Sequence, residues 1–189
     1  PNDIVVDIGA NIGVFANRAA YKNARHIYCF EPNPWAYFCL LNNAPPNATL
    51  FNVAISYDEF FTTLYQHTSA NNLGGSTIKR SSVESWKNDN INIFQQFYVH
   101  CLPLSRYFKL NLFSRIDFLK IDVENSEIDI LNSLEDNLIK RIKKIAFEYH
   151  SKYQNNEEIT NLILRYRELG FNHYAFYNAD QTSTHNLWQ

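Results

Sequence analysis

The 189-residue chain contains no methionine, only five glycines and three cysteines, and no apolar run long enough to span a bilayer. A spanning helix needs about 18 consecutive apolar residues, and Asp7, Arg18, Glu31 and Lys120 interrupt the most hydrophobic stretches. The chain therefore reads as soluble, with a cytoplasmic location expected. Without an initiating methionine, and with Pro1 in first place, the natural N-terminus is expected to be trimmed or to lie outside this sequence, together with any targeting signal. Cys29, Cys39 and Cys101 are odd in number and lack CxxC spacing, which favours packed thiols in a reducing compartment over a disulfide framework or a zinc site. Charge is also scarce: charged residues make up 19%, and the net charge is -2 with a pI near 6.3. That leaves no broad basic field for nucleic acid or an anionic membrane. What the chain does have is 46% hydrophobic and 15% aromatic residues, too apolar a mixture for disorder and enough for one core in a single domain over residues 1–189.

Short β-rich runs alternate with helix-compatible segments, the pattern of an α/β fold with a mostly parallel sheet and helices on both faces. Ile4–Ile8 is nearly all apolar, as a strand buried on both faces should be. A helix over 14–21, a strand over 26–30, a helix opened by Pro34 and running to Asn43, and a strand over 49–53 follow. Phe60–Gln66 reads as a further strand, whereas 69–92 is polar and reads as a mobile loop. Strands over 97–102, 116–123 and 144–149, and helices over 103–109 and 126–134, continue the alternation. Asn155 or Asn156 caps a last helix with the apolar stripe Ile159, Leu162, Ile163 and Tyr166, which stops at Gly170. A closing hairpin is expected over 174–177 and 187–188.

Two constellations carry chemistry. At the exit of the first strand, Asp7-Ile8-Gly9-Ala10-Asn11-Ile12-Gly13 is a turn tight enough for backbone to approach a ligand, with helix N–H groups behind it. Gly9 and Gly13 lie four apart with Asn11 between them, so the GxGxxG pyrophosphate turn is not met. Asp7 repels phosphate and attracts an ammonium group. Glu31 ends the second strand, where such sheets carry an acid that accepts ribose hydroxyls, and a nucleoside without pyrophosphate is the implied ligand. In the second constellation, Lys120-Ile121-Asp122-Val123-Glu124, the two acids are spaced i, i+2 at a strand end, and Glu148 and His150 repeat that spacing at the next. Glu127 and Asp129 read as a solvated helix start.

The segments Val6–Gly13, Phe30-Glu31-Pro32-Asn33, Gly74-Gly75-Ser76 and Leu119–Glu124, in this order, resemble the signatures of the FkbM family of S-adenosylmethionine-dependent methyltransferases over about residues 3 to 150. The resemblance implies a Rossmann-like sheet of seven strands with one antiparallel. It also implies methyl transfer from S-adenosyl-L-methionine to a hydroxyl of a sugar or small natural product. By the same resemblance, Asp7, Gly9, Asn11 and Gly13 line the methionine part of the cofactor with Ala10 among them. Glu31 holds the ribose, Pro32 and Asn33 lie beside it, and Asn52 is a candidate for the adenine end. The Gly74–Ser76 loop closes over the site, and Asp122 and Glu124 face the methyl group or the acceptor. Where the family usually continues with Gly, this chain has Asn125, which can occupy the same backbone region.

A hydroxyl acceptor needs a base, a role open to His150 or Asp122 with Glu124 and Glu148 orienting the acceptor. The convergent acids would also suit a divalent ion such as Mg²⁺, although no ligand spacing singles one out. Three rivals stay open: a nicotinamide-dependent oxidoreductase on a similar sheet, a non-catalytic module retaining the fold, and an RNA methyltransferase, which the net charge disfavours.

Overall fold

The mostly apolar runs form the inner strands of one parallel sheet. A computed structural model describes residues 2–68, 75–88, 92–149 and 156–172. In chain order its first half comprises β1 (Ile4–Ile8), α1 (Val14–Tyr21), β2 (His26–Phe30), α2 (Pro34–Asn43), β3 (Ala48–Phe51), β4 (Ala54–Ser56), β5 (Phe60–Thr68), β6 (Ser76–Thr77) and α3 (Arg80–Asn88). Then come β7 (Asn92–Pro103), α4 (Leu104–Lys109), β8 (Phe118–Ile121), α5 (Glu127–Ser133), α6 (Asp136–Ile139), β9 (Ile145–Phe147) and α7 (Asn156–Glu168).

The main sheet has the order β3-β2-β1-β8-β9, and every described pairing within it is parallel. The expected sheet of seven strands with one antiparallel member is thus corrected, among the described residues, to five parallel strands. The antiparallel pairing lies in a second sheet, β4-β7-β5-β6, where β5 runs against β6 and β7 and β4 runs parallel to β7. The two sheets differ in burial as their sequences do. Val5 and Val6 point to opposite faces of β1, and both are buried. One face packs Val6, Ile8 and Leu119 against Ile128 and Leu131 of α5 and Ile159, Leu162 and Tyr166 of α7. The other packs Val5, Ile27 and Cys29 against Ala16 and Ala19 of α1 and Leu40 of α2. In contrast β5 and β7 alternate: Leu64 and Val99 are buried while Phe61 and Tyr98 are exposed, as in a sheet covered on one side.

The segment expected to be a loop carries β6 and α3 in its described part, 75–88. Its polar side chains are used in tertiary contacts rather than in solvation: Thr77 Oγ1 donates to Glu124 O at 2.7 Å, and Lys79 pairs with Asp129 at 2.8 Å. β4 and α6 were not anticipated at all, being only three and four residues long. The last helix keeps its stripe, and Gly170 after it has φ 107°. Asn155 and the expected hairpin lie outside the described residues. All three cysteines are free; Cys29 and Cys101 are packed, but Cys39 is exposed on α2. No helix among the described residues is long and apolar enough to cross a membrane.

Candidate functional site

The chain moves outward from β1 through β2 to β3 and then crosses back to β8 on the other side of β1. Loops after β1 and β8 therefore diverge, and a crevice opens at the carboxyl ends of these strands, the usual place for a ligand in an open parallel sheet. The turn after β1 is bound to β2 by two bonds, with Gly9 N and Ala10 N donating to Phe30 O at 2.9 and 3.0 Å. Gly9 has φ 78°, and a Cβ there would lie 1.8 Å from Asp122 O. No other residue fits between the first turn and the exit of β8. Asn11 takes the left-handed conformation at φ 49°.

A cavity of about 230 Å³ sits in this crevice. Ile8, Phe30, Pro32, Ala54, Ile55, Leu64 and Ile78 form an apolar wall, with Gly9 and Asn11 at the turn. The polar wall consists of Glu31, Ser76, Asp122, Glu124, Ser126 and Glu148. Among the described lining residues there is no lysine, arginine or histidine.

Glu31 is fixed by its two neighbours. Its Oε2 accepts from Asn11 N and its Oε1 from Asn33 N, both at 2.8 Å. Burial pushes its carboxyl up to about 7, against the pull of the two backbone N–H groups. Asn33 in turn caps α2, accepting from Trp35 N at 2.9 Å and Ala36 N at 3.3 Å, with Pro34 in the first turn. Asn52 Nδ2 donates to Glu31 O at 2.8 Å and Pro32 O at 3.2 Å, so the strand end that carries the acid is held from both sides.

Beneath the turn, Asp7 and Lys120 are register partners on adjacent parallel strands. Lys120 Nζ donates to Gly9 O at 2.7 Å and lies 3.2 Å from Asp7 Oδ1 and 3.3 Å from Asp122 Oδ2. Asp7 is fully buried, and its charge is met by the Lys120 ammonium at 3.2 Å. Burial pushes the Asp7 carboxyl up against the pull of Lys120. At Lys120 burial acts downward, but Asp7 and Asp122 more than offset it and hold the ammonium protonated. The Asp122 carboxyl is also pushed up, first by burial and then, against the pull of Lys120, by a hydrogen bond and like charge from Glu148. The two carboxyls at the tips of β8 and β9 thus share a proton more readily than isolated acids would.

The second sheet and α3 strap the site from above. Asn33 Nδ2 donates to Gln66 Oε1 at 3.0 Å and Ser76 Oγ at 3.3 Å, and Asn125 Nδ2 donates to Ser82 Oγ at 3.1 Å. Glu124 and Asn125 both have positive φ, 56° and 82°, so extended backbone ends before Glu124.

The sequence profile of the methyltransferase FkbM domain matches residues 7–172. The chain belongs to the FkbM methyltransferase family. A curated relative is the AMB antimetabolite synthetase AmbE of Pseudomonas aeruginosa, 25% identical over 186 residues that cover 80% of this chain and 8% of the synthetase. The chain thus spans under a tenth of that relative's length. Among solved structures, precorrin 8W decarboxylase of Methanobacterium thermoautotrophicum is 17% identical, with a TM-score of 0.41 over 90% of this chain and 64% of that one. So low a score carries no argument.

Within this FkbM domain, Gly9, Asn11, Glu31, Pro32, Asp122, Glu124 and Glu148 converge on the cavity as the sequence led one to expect. Asp122 and Glu124 do so through the left-handed bend rather than through continued extension. Asp7, Ala10, Gly13, Asn33 and Asn52 are not on its wall. Asp7 lies beneath the turn, where the ammonium group beside it is that of Lys120. Ala10 is buried in the turn; a Cβ on Gly13 would lie 2.9 Å from Leu40 Cδ1, so that glycine serves the packing of α1 on α2. Glu127 is fully buried rather than solvated, and its Oε1 accepts from Val123 N at 2.9 Å. His150 and Gly74 lie outside the described residues, whereas Gly75 and Ser76 are described and Ser76 reaches the wall. Sequence reasoning missed the structural use of Lys120, although a lone lysine between apolar residues of one strand, facing a lone aspartate in another, was a readable signal. It also missed Ser126 and the wall residues Leu64 and Ile78, which come from the less strongly patterned middle of the chain.

Proposed function

We propose that the domain transfers a methyl group from S-adenosylmethionine to a hydroxyl of a sugar or small natural product. The observation that carries this reading is Glu31: a buried carboxylate at the tip of β2 that lines the cavity, each oxygen fixed by one backbone N–H. That is a receptor for a vicinal diol. The residues present fit an adenosyl sulfonium in three further respects. Gly9 and Asn11 bring bare backbone to the cavity, the apolar wall offers a slot for a flat ring, and the turn lacks the GxGxxG spacing that cradles a pyrophosphate. The same departure from that spacing weighs against a nicotinamide dinucleotide.

When bound, S-adenosylmethionine supplies an electrophilic methyl carbon, which the acceptor oxygen takes while the carbon–sulfur electron pair passes to sulfur. The chain's own residues do the rest. Glu31 fixes the ribose and Gly9–Asn11 the amino-acid end, which sets the alignment that such displacements depend on. Asp122, hydrogen-bonded to Glu148 and facing Lys120, takes the hydroxyl proton at a carboxylate oxygen. A placed base of this kind contributes roughly 10²- to 10⁴-fold. Lys120 keeps Asp122 oriented and shields Asp7. The test is incubation of the purified chain with methyl-labelled cofactor and a sugar and polyol panel: label in an ether is the expected product, and label in none of the panel, with cofactor bound, overturns the acceptor class.

A further inference from the structure

Two consecutive residues beyond β8, Glu124 and Asn125, take left-handed backbone at φ 56° and 82°. Glycine occupies this region without penalty, whereas a residue with a side chain is strained there. Asn125 is 3% exposed and is not on the cavity wall, and its Oδ1 has no hydrogen-bond partner among the described residues. What the side chain gains is a bond to α3: Nδ2 donates to Ser82 Oγ at 3.1 Å, and Ser82 is as deeply buried. One neutral hydrogen bond contributes less than a strained backbone and a buried unpaired oxygen cost together. Stability therefore does not account for an asparagine at this position, where glycine would serve the fold at least as well.

The place of that bond does account for it. Asn125 stands between Glu124 and Ser126, both on the cavity wall, and three residues after Asp122, whose backbone oxygen packs on Gly9. The bend is tied to β6 and α3 at three points: Thr77 Oγ1 donates to Glu124 O at 2.7 Å, Asn125 Nδ2 donates to Ser82 Oγ, and Lys79 pairs with Asp129 at 2.8 Å. The ion pair is about a third exposed and hence screened, whereas both side chains of the Asn125–Ser82 pair are enclosed.

We propose that Asn125 is a positioning residue: through Ser82 it latches the left-handed bend to α3 and so fixes the wall formed by Glu124 and Ser126 before a ligand arrives. Its consequence for catalysis rests on the methyl-transfer reading; the latch itself does not.

The experiment sets function against stability with two variants of the full chain. Asn125→Gly removes the latch and keeps the backbone conformation, so its melting temperature should be no lower than native. Ser82→Ala removes the same bond but leaves the Asn125 amide buried and unpaired, so its melting temperature should fall. Despite this divergence the two should share one defect. Amide hydrogen exchange at Val123, whose N–H is held by Glu127 Oε1, should be about 10-fold faster in both, the worth of one hydrogen bond. Asp122, whose N–H is bonded to Ile8 O within the sheet, should keep its native rate. The double variant should be no faster at Val123 than either single one. Native exchange at Val123 in either variant, or rate increases that multiply in the double variant, overturns the latch, and this arm needs no acceptor.

The catalytic consequence is read separately. Calorimetric binding of S-adenosylhomocysteine to the native chain comes first, and its absence would remove the methyl-transfer reading while leaving the exchange result standing. With a sugar or polyol that the native chain methylates, kcat at saturating cofactor should fall about 10-fold in both variants, whichever way the melting temperature moves. A native kcat in Asn125→Gly, with loss confined to the less stable Ser82→Ala, would show that the pair serves the fold alone and would overturn the positioning role.

Discussion

Replacing Glu31 by glutamine separates binding from folding, because the geometry assigns each oxygen a separate task. Oε1 and Oε2 each accept one backbone N–H at 2.8 Å, from Asn33 and Asn11. In Glu31→Gln one of these oxygens becomes an NH₂ that meets a second donor, at a cost of about 1–3 kcal/mol for an unsatisfied buried group. The same change removes a buried charge. Burial raises the native carboxyl from an ordinary 4.5 to about 7. Its folded-state pKa lies above its unfolded one, so the stability it contributes is present below about pH 4.5 and is lost as pH rises through about 7. At pH 8 the ionised carboxylate of the ligand-free chain therefore costs up to about 3 kcal/mol, at 1.36 kcal/mol per pKa unit. The two effects oppose each other, and the melting temperature of Glu31→Gln at pH 8 should differ little from that of the native chain. Affinity for S-adenosylhomocysteine should not survive so well. Loss of charge-assisted bonds to the ribose, about 1.5–3 kcal/mol each, predicts a Kd at least about 100-fold higher by calorimetry at pH 8. The native chain should also bind less tightly as pH falls below about 7 and release a proton on binding near pH 6, whereas the variant should be flat over this range. A variant that binds within twofold of native, or shows the native pH profile, refutes the assignment of Glu31 to the ribose.

Gly9→Ala places a Cβ 1.8 Å from Asp122 O, so the turn and the exit of β8 cannot both keep their positions; binding and thermal stability should fall together, and an alanine variant with native binding would contradict this geometry. Lys120→Met leaves Asp7 fully buried without its counter-charge, and denaturant unfolding should show a loss of about 3–5 kcal/mol, mostly recovered in the double variant with Asp7→Asn; equal losses in both would show that the two charges are not coupled. Asp122→Asn should lower kcat for a hydroxyl acceptor by about 10²-fold or more with little change in cofactor Kd, and an unchanged kcat would move the base elsewhere. Turnover should persist in excess chelator, since the proton is taken by a carboxylate, and loss restored by Mg²⁺ would require a metal in the mechanism.

The parts of the fold legible in the sequence were those where local pattern and burial agree. Ile4–Ile8, His26–Phe30 and Phe118–Ile121 are strands covered on both faces, and their largely apolar runs said so. Pro34 marked the start of α2, where Asn33 supplies the cap. The middle was less legible for a physical reason. Residues 75–88 owe their order to long-range partners, Thr77 to Glu124 and Ser82 to Asn125, which leave no periodic trace. The spacing that singled out Gly9 and Glu31 picks two residues that line the cavity. The pairing of Asp7 with Lys120, 113 positions away and in register on the neighbouring strand, went unread although each stood alone in an apolar strand. Glu127 went the same way: an acid in a first helical turn is usually solvated, and here it folds back to hold Val123 N.

The central claim is that the crevice between β1 and β8 receives an adenosyl sulfonium rather than a dinucleotide. Titration of the purified chain with S-adenosylmethionine and, separately, with NAD and NADP tests it directly. One-to-one binding of the first at micromolar concentration with no heat from the other two is the predicted outcome. Binding of either dinucleotide, with none of S-adenosylmethionine, would contradict it.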